Sequence, residues 1–471
     1  MSDFSALQSA LSGLMAHRRA MEVIGHNIAN VNTEGYTRRR IDLQPAGTNA
    51  APGVWSRATQ TGDGVNVAGV TRMREEFLDL RTRRELGTNG SAQQLSKVMD
   101  QIEALMPEPS DTGLAARLSE FWGAWDDAAA QPGEPALRSA LLQQADSLAR
   151  TLNSIAGSLV DLRGSLVSDA KTLVAQVNAD SAHVAELNES IVAALGNGLD
   201  PADLEDQRDL IIDRIVAQTG ATTRRQNDGS VDVFLGGGTL VRGSRSEALA
   251  VVPGGPLDPP YTGTGLQKTE VRWALDGYRV DALSGRIGAD LQGINNVAPH
   301  YLQQLDGVAS RLVSDLNTLH RTGKGLNSGD VNLDFFDPAG VTAATIAVSA
   351  SVVGQPSRIA LASGTGGRLD SSLGHAIAAL VGSSTGADAL HRTLIGQLGV
   401  DVQSAQRRAD VQSKITTQVQ SERHSVIGVS LDEEMTSLVA TQRAYEASAR
   451  VITAVDQMLD ILISRTGVVG R

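Results

Sequence analysis

The sequence predicts an α+β fold that is mainly α: a long helical bundle with a helix at each end of the chain and β-rich insertions. Three observations predict this class. Apolar residues recur at alternating intervals of three and four near both ends. Long stretches between them keep helical periodicity, and two internal segments combine glycine with alternating valine, which is the period of strands. A chain of 471 residues has room for roughly two to four domains.

The N-terminal helix is predicted over residues 1–35. Its apolar residues form the narrow stripe of a coiled coil rather than the broad face of a globular helix. The stripe consists of Phe4, Leu7, Leu11, Leu14, Met21 and Ile28. It ends in the run NIANVNTEGYTRRR (27–40), where asparagine side chains bond to nearby backbone and glycine permits a sharp change of direction. The candidate turn residues are Asn30, Asn32, Thr33, Gly35 and Tyr36, with the Tyr36 ring as an anchor.

The middle of the chain alternates helical and extended segments. An extended or β connector leading into a helix is predicted at 36–90, followed by a helical domain at 91–322 that carries a β-rich insert at about 221–290. A second β-rich outer subdomain is predicted at 323–395, before the C-terminal helices at 396–471. Prolines and glycines in MPEPSDTG and QPGEP predict helix ends, and the Asp228-Gly229 pair predicts a hairpin.

The C-terminal helix has a second stripe of the same kind. Its start is predicted at a capping box, in which Ser430 accepts from the amide of Glu433 and Glu433 reaches back. The stripe consists of Leu431, Met435, Leu438, Gln442, Tyr445, Ile452, Leu459 and Leu462.

Two unpaired stripes on one chain have two explanations: the terminal helices bury each other, or neighbouring molecules bury both. Residues 1–40 hold five arginines and three acidic residues, whereas 429–465 hold three arginines and six acidic residues, so the two ends attract each other. An ordinary helical bundle, with its ends packed on its own body, explains the stripes equally well.

Both terminal segments resemble those of the bacterial flagellar axial proteins, which include rod, hook and hook-associated proteins. The N-terminal match is centred on Asn27, Asn30, Asn32, Gly35 and Tyr36. The C-terminal match lies in GVSLDEEMTSLVATQRAYEASARVITAVDQMLDILI. The resemblance implies that the terminal helices form coaxial layers buried by neighbouring subunits, and that the turn residues redirect the chain outward. It also implies that the arginines after the turn meet carboxylates of an adjacent subunit, although a solvated cluster remains an alternative.

The segments DQRDLIID (206–213), DGSVDVFLGGGTLVRG and VASRLVSDLNTLHRTG resemble the hook-associated branch of this family. That branch implies a structural adaptor joining hook to filament. Its expected partners are the hook protein, the second junction protein, further copies in a ring or helical lattice, and an export chaperone. The expected location is extracellular, at the hook–filament junction of the flagellum, after export without a cleaved signal peptide. A hook or distal-rod protein is the alternative within the family.

Composition and motifs give no support for an enzyme. The net charge of −12 disfavours binding to nucleic acid, and the absence of cysteine excludes thiolate catalysis and cysteine-ligated metals. No stretch of about 18 apolar residues predicts membrane insertion. The run 382–386 matches a G-x-S-x-G nucleophile elbow, but the preceding GHAIAALV predicts a helix where the elbow needs a strand. We therefore expect no catalytic residue, cofactor or metal; a secreted enzyme built on a flagellar scaffold is the alternative from another class.

Overall fold

The computed structural model describes residues 2–46, 64–261, 264–327 and 329–465. Ten α-helices run through these ranges: α1 (Ser2–Ala29), α2 (Glu76–Leu105), α3 (Leu114–Ala130), α4 (Pro135–Gly196), α5 (Ala202–Thr219), α6 (Gly285–Gln292), α7 (Ala298–His320), α8 (Ser372–Ala378), α9 (Ala387–Ile427) and α10 (Leu431–Arg465). Within the described ranges, no helix is long and apolar enough to cross a membrane. The mainly α class of the fold is confirmed.

Several helix ends are set by local residue types: proline, an acidic cap and glycine. Pro135 occupies the first turn of α4, where a missing amide costs nothing, and the Glu134 side chain accepts a hydrogen bond from the amide of Ala136. Gly220 ends α5 with φ +72°, the left-handed conformation that favours glycine. These residues explain why the helical body is divided where it is.

The strands form small antiparallel sheets. They are β1 (Arg39–Pro45) with β2 (Val65–Arg72); β3 (Thr222–Arg225), β4 (Val231–Leu235), β5 (Gly238–Arg242) and β6 (Arg245–Ser246); β7 (Leu249–Pro256) with β8 (Gln267–Trp273); and β9 (Gly323–Lys324) with β10 (Ala362–Ser363). The four-stranded sheet has the sequential order β3-β4-β5-β6. Strands β3 to β8 therefore lie inside the range predicted for the β-rich insert.

Two apolar clusters form the interior of the body. The first is built by α2, α3, α7, α8, α9 and the first part of α4, and it includes Phe121, Trp125 and Phe335. The second joins the last part of α4 and α5 to the sheets of the β-rich insert. Helix α4, with 62 residues, is long enough to contribute to both. The long helix thus connects two separate cores.

The prediction of a β-rich subdomain at 323–395 is wrong. The described part of this range holds only the two-residue strands β9 and β10, short helical turns, α8 and the start of α9. Its backbone is held by main-chain hydrogen bonds in turns and by side chains rather than by an extended sheet. Among the side chains, Asn317 of α7 accepts from the amides of Phe335 and Phe336 and donates to the Phe336 carbonyl. The glycine- and serine-rich range therefore forms irregular structure that packs against the first cluster.

Candidate assembly interface

The two terminal helices pack against each other as an antiparallel pair. The Asn27 side chain of α1 donates a hydrogen bond to Glu434 of α10. Gly13 faces Ser448, whose hydroxyl oxygen would lie 3.4 Å from a Cβ at position 13. These two contacts lie 14 residues apart on α1 and 14 residues apart on α10, so both belong to the same register of the helix pair. The structure therefore brings together the two ends that the sequence singled out.

The buried face of α1 differs from the predicted stripe. It consists of Ala16, Ala20, Val23, Ile24 and Asn27. Ala16, Ala20, Val23 and Asn27 follow intervals of four, three and four. This line is offset by two positions from Leu14 and Met21, which is about 200° around a helix. Two alanines on the line allow the helix axes to approach closely, because they place little side chain between them.

The predicted N-terminal stripe lies away from the paired face of α1. Leu7, Leu14, Met21 and Ile28 recur every seven residues and are half-buried, whereas Leu11 is 47% exposed. The explanation in which the two apolar stripes bury each other is therefore wrong for α1. The stripe keeps a large part of its apolar surface open in the single chain.

The predicted C-terminal stripe is divided between two environments. Its half-buried members recur every seven residues, and its other members are exposed. The half-buried ones are Leu438, Tyr445, Ile452 and Leu459; the exposed ones are Leu431, Met435 and Gln442. The side chain of Leu462 lies outside the described residues. Only one of the two heptad positions therefore packs towards α1.

Asn27 of α1 connects three segments of the chain at the end of this pair: α1 itself, the segment 36–39 after the turn, and the start of α10. Its side chain is 1% exposed. Its amide nitrogen donates to Glu434 Oε2 at 3.0 Å and to the Arg39 carbonyl at 2.9 Å. Its oxygen accepts from the Arg39 amide at 3.0 Å and from the Tyr36 hydroxyl at 2.8 Å. The resemblance included Asn27, but no residue pattern marked it as the centre of the site.

The turn after α1 uses the predicted residues. Asn30 donates to the His26 carbonyl at 3.0 Å and accepts from the Thr33 hydroxyl, while Asn32 and Thr33 are exposed. Gly35 has φ +79°, and a Cβ there would lie 3.3 Å from the Leu210 Cβ. The turn therefore requires glycine for both conformation and space.

Tyr36 anchors this turn through both its hydroxyl and its ring. Burial raises the pKa of Tyr36 to about 12, so the hydroxyl remains a donor to Asn27 at physiological pH. The Arg39 guanidinium lies 5.3 Å from the ring centroid.

The first two arginines after the turn pair with carboxylates inside the same chain. Arg38 pairs with Glu433 at 2.7 Å and with the buried Glu434 at 2.8 Å. Arg39 pairs with Asp203 of α5. The solvated-cluster explanation is therefore wrong for these two residues, whereas contact with an adjacent subunit stays a prediction; Arg40 is exposed.

The same pairs change the predicted start of α10. The Glu433 carboxylate faces Arg38 instead of reaching back to Ser430, and the first main-chain hydrogen bond runs from the Glu434 amide to the Ser430 carbonyl. The capping box is replaced by a contact between distant segments.

The chain's enzyme-like motif has a different context from a nucleophile elbow. Residues 382–386 follow α8 and a 3₁₀ turn (Ala379–Gly382), and α9 begins at Ala387. The Ser383 hydroxyl accepts from the Thr385 amide, as in an ordinary turn. Among the described residues, no group of three or more His, Asp or Glu side chains forms a metal site.

Family models match three parts of the chain. The flagellar hook-associated protein FlgK helical domain matches residues 99–336. The flagellar basal body rod protein model matches residues 7–37, and the C-terminal model of the rod proteins FlgE, FlgF and FlgG matches residues 425–465. The terminal matches coincide with the helix pair and its turn.

Known proteins agree with these matches. Flagellar hook-associated protein 1 of Bacillus subtilis is 29% identical over the whole length of both chains. The protein of the same name from Salmonella typhimurium is 29% identical over 55% of this chain, which spans 46% of the relative. The flagellar hook junction protein FlgK of Burkholderia pseudomallei has the same fold, with a TM-score of 0.62 and 14% identity over 74% of this chain and all of the other. The chain belongs to the FlgK family of flagellar hook-associated proteins.

Proposed function

We propose that this chain is a structural adaptor of the bacterial flagellum that joins hook to filament, and that it assembles through its terminal helices. Membership of the hook-associated family supports the adaptor role. The observation that carries the mechanism is the antiparallel pair of α1 and α10, whose buried face is narrow and whose flanks remain apolar. A structural role of this kind requires no catalytic site.

The exposed apolar residues of the pair are the proposed contacts to neighbouring subunits. Two lie on α1 and six on α10: Leu11, Met15, Leu431, Met435, Val439, Val451, Met458 and Ile461. Burying the exposed half of such a side chain is worth about 1 kcal/mol, so the set supplies a substantial driving force when subunits meet. Single exposed leucines are common, whereas eight exposed apolar side chains on one pair of helices are typical of an interface.

The position of the chain in the flagellum defines its proposed partners. We infer contacts with the hook protein, with the second junction protein and with further copies of the same chain in a ring or helical lattice. Export through the flagellum's own channel, aided by a chaperone, and an extracellular location at the junction complete the proposal. The match to the helical domain favours this role over that of a hook or distal-rod protein, since it covers α3, α4, α5 and α7.

Complementation tests the function. A strain whose own copy is deleted receives the full chain, a chain lacking residues 431–463, or Met435→Asp. We expect the full chain to restore swimming and filament retention, and the truncated chain to release flagellin into the medium. A deletion strain that lacks hooks would place the protein lower in the axis, and one that swims normally would overturn the proposal.

The point variant separates assembly from folding. Met435 is 50% exposed in the single chain, so the charge of Met435→Asp has water around it until subunits meet. We expect normal folding of the monomer with filament retention reduced at least tenfold. Thr172→Asp, at an exposed polar position of α4 outside the terminal helices, is the control and should assemble normally. Normal assembly of Met435→Asp would contradict the proposed interface.

A further inference from the structure

The terminal elements form a unit of their own, called here the terminal module: α1, β1, β2 and α10. The rest of the described chain, from α2 to α9, is called the body. Neither of the two apolar clusters contains a residue of the terminal module. The module has its own small buried set, which includes Ala16, Ala20 and Val455. Apolar packing therefore does not determine how the module sits on the body.

The backbone crosses between module and body at two neighbouring places. One is the segment 73–75 between β2 and α2, and the other is the segment 428–430 between α9 and α10. Two hydrogen bonds hold the crossings together: the Arg38 amide donates to the Ile427 carbonyl at 2.9 Å, and the Met73 amide donates to the Arg38 carbonyl at 2.8 Å. Both crossings are short and adjacent, which is the geometry of a hinge.

Charged contacts to one helix of the body hold the module beside this hinge. Arg72, the last residue of β2, has a buried side chain that contacts three carboxylates of α5. It reaches Glu205 at 2.8 Å, Asp206 at 2.6 Å and Asp209 at 3.0 Å. One arginine thus bonds to three successive acidic positions on the same helical face.

A second arginine repeats this arrangement from β1. Arg39 pairs with Asp203 and lies 3.8 Å from Asp206. The amide of Thr37 also donates to Asp206, at 3.4 Å. All of these module groups converge on the first half of α5.

Two other helices of the body, α2 and α9, also contact the acidic face of α5. Arg83 of α2 contacts Asp209 at 3.3 Å and Asp213 at 2.8 Å, and Arg423 of α9 contacts Asp213 at 3.0 Å. Burial acts to raise the pKa of Asp209, but the guanidinium groups of Arg74, Arg83 and Arg72 outweigh it and hold that pKa well below its usual range. Asp209 is therefore held in its charged form by residues of the body together with Arg72, whereas burial raises the pKa of Asp206 against the opposing effect of Arg72.

A cleft lies next to the same contacts. Its volume is about 510 Å³, and it is lined by the turn residues Tyr36 and Thr37, by Leu210 of α5 and by His424 and Ile427 at the end of α9. The cleft leaves the module free space to rotate towards α9, whereas the ion pairs oppose that rotation.

From these observations we propose that α5 is an ionic latch: Arg39 and Arg72 set the angle of the terminal module, which pivots about 73–75 and 428–430 when they are released. Buried ion pairs add little net stability but penalise wrong geometries strongly, because a released charge must find water or another partner. The latch thus selects one orientation of the module, although the module does not pack into the apolar clusters of the body.

Distance measurements between two spin labels test the latch in the full chain. The protein has no cysteine, so Ala440→Cys on α10 and Ala179→Cys on α4, both at exposed positions, provide unique label sites. We expect one narrow distance distribution in the parent protein. In Arg72→Gln we expect a distribution at least twice as wide, with the helical content of the folded protein unchanged.

Two further variants keep the test decisive. If Arg72→Gln fails to fold, Arg39→Gln takes its place, because Asp203 is 68% exposed and can be hydrated when its partner is removed; we expect a smaller broadening. Arg150→Gln, which breaks an exposed pair with Asp146 inside α4, is the matched control and should leave the distribution unchanged. A distribution in folded Arg72→Gln or Arg39→Gln that equals the parent's would overturn the latch.

Discussion

At the scale of single residues, the most consequential side chain is that of Asn27. A primary amide offers two donors and two acceptor positions, and all four are used here, by Tyr36, Arg39 and Glu434. Aspartate is similar in size but would place a second carboxylate against Glu434 and lose both donors. The site therefore requires asparagine for chemical reasons, not for local turn formation.

Replacing Asn27 should loosen the end of the helix pair. In Asn27→Ala the buried Glu434 loses one donor and the Arg39 backbone loses two partners, which should cost about 2–3 kcal/mol. We expect faster amide exchange in residues 20–28 and 434–445, with the body unchanged. Asn32→Ala, at an exposed position of the same turn, is the control. Equal exchange in both variants would contradict the central role of Asn27.

His320 is a second buried side chain whose chemistry is decided by its surroundings. Its Nδ1 donates to the Leu333 carbonyl at 2.6 Å, and its Nε2 accepts from the Ala360 amide at 2.9 Å. Only the neutral ring satisfies both contacts, since a protonated Nε2 would face a second N–H. Burial lowers the pKa of His320 to about 4, although the Leu333 carbonyl and Asp334 oppose the change.

This histidine predicts how stability depends on pH. The unfolded chain takes up a proton as the pH falls through about 6.5, whereas the folded chain resists until about 4. The free energy of unfolding should therefore decrease from pH 6.5 to 4 by about 3 kcal/mol for this group. Denaturant unfolding at several pH values measures the slope, with the exposed His183→Gln as control. A slope that is unchanged in His320→Gln would contradict the assignment.

At the scale of elements, the terminal helices show how one heptad pattern serves two surfaces. The register of the pair places Leu438 opposite Val23, whereas Met435, three residues earlier, is exposed. A stripe read from the sequence combines both positions, because the period of apolar residues is the same for a contact within a chain and a contact between chains. Only the partner helix separates them.

Leu438→Asp should therefore act differently from Met435→Asp. A charge at the half-buried position should weaken the pairing of α1 and α10 by on the order of 3 kcal/mol already in the monomer. We expect loss of amide protection along both helices, an intact body, and no assembly. Leu438→Met is the control, since it keeps volume and polarity. Full protection of the helix pair in Leu438→Asp would contradict the register.

At the scale of the whole molecule, stability is divided between two apolar clusters and the terminal module. The first cluster contains the aromatic residues Phe121, Trp125, Phe335 and Phe336, and the second contains the sheets packed on α5. Because α4 is shared, the clusters are connected but need not unfold together. The small buried set of the module gives it the lowest expected stability.

Calorimetry of core variants tests this division. Leu152→Ala in the first cluster and Ile212→Ala in the second each remove a fully buried side chain and should cost about 2–5 kcal/mol. We expect each variant to lower the midpoint of a different transition. Val160→Ala, at an exposed position of α4, should change neither. An equal shift of a single transition by both variants would contradict separate clusters.

Local chemistry made a large part of the fold predictable from the sequence. Prolines and glycines near 107, 132 and 220 divide the helices, and Asp228-Gly229 lies at the turn between β3 and β4. These features depend on neighbouring residues only, so they can be read without knowing the fold. The irregular range 323–395 could not be predicted, because contacts that hold it, such as those of Asn317 to the backbone of Phe335 and Phe336, come from a different element.

The sequence by itself determined the helical ends of the chain, the turn at Gly35 and Tyr36, and the family to which these ends point. Only the tertiary structure decided that Ala16 and Ala20 form the paired face, that Asn27 is the central contact, and that Arg39 and Arg72 bind α5. The reason is physical. Turn and helix preferences act over a few residues, whereas the contacts of Asn27 with Glu434, of Arg39 with Asp203 and of Arg72 with Glu205 join positions more than a hundred residues apart.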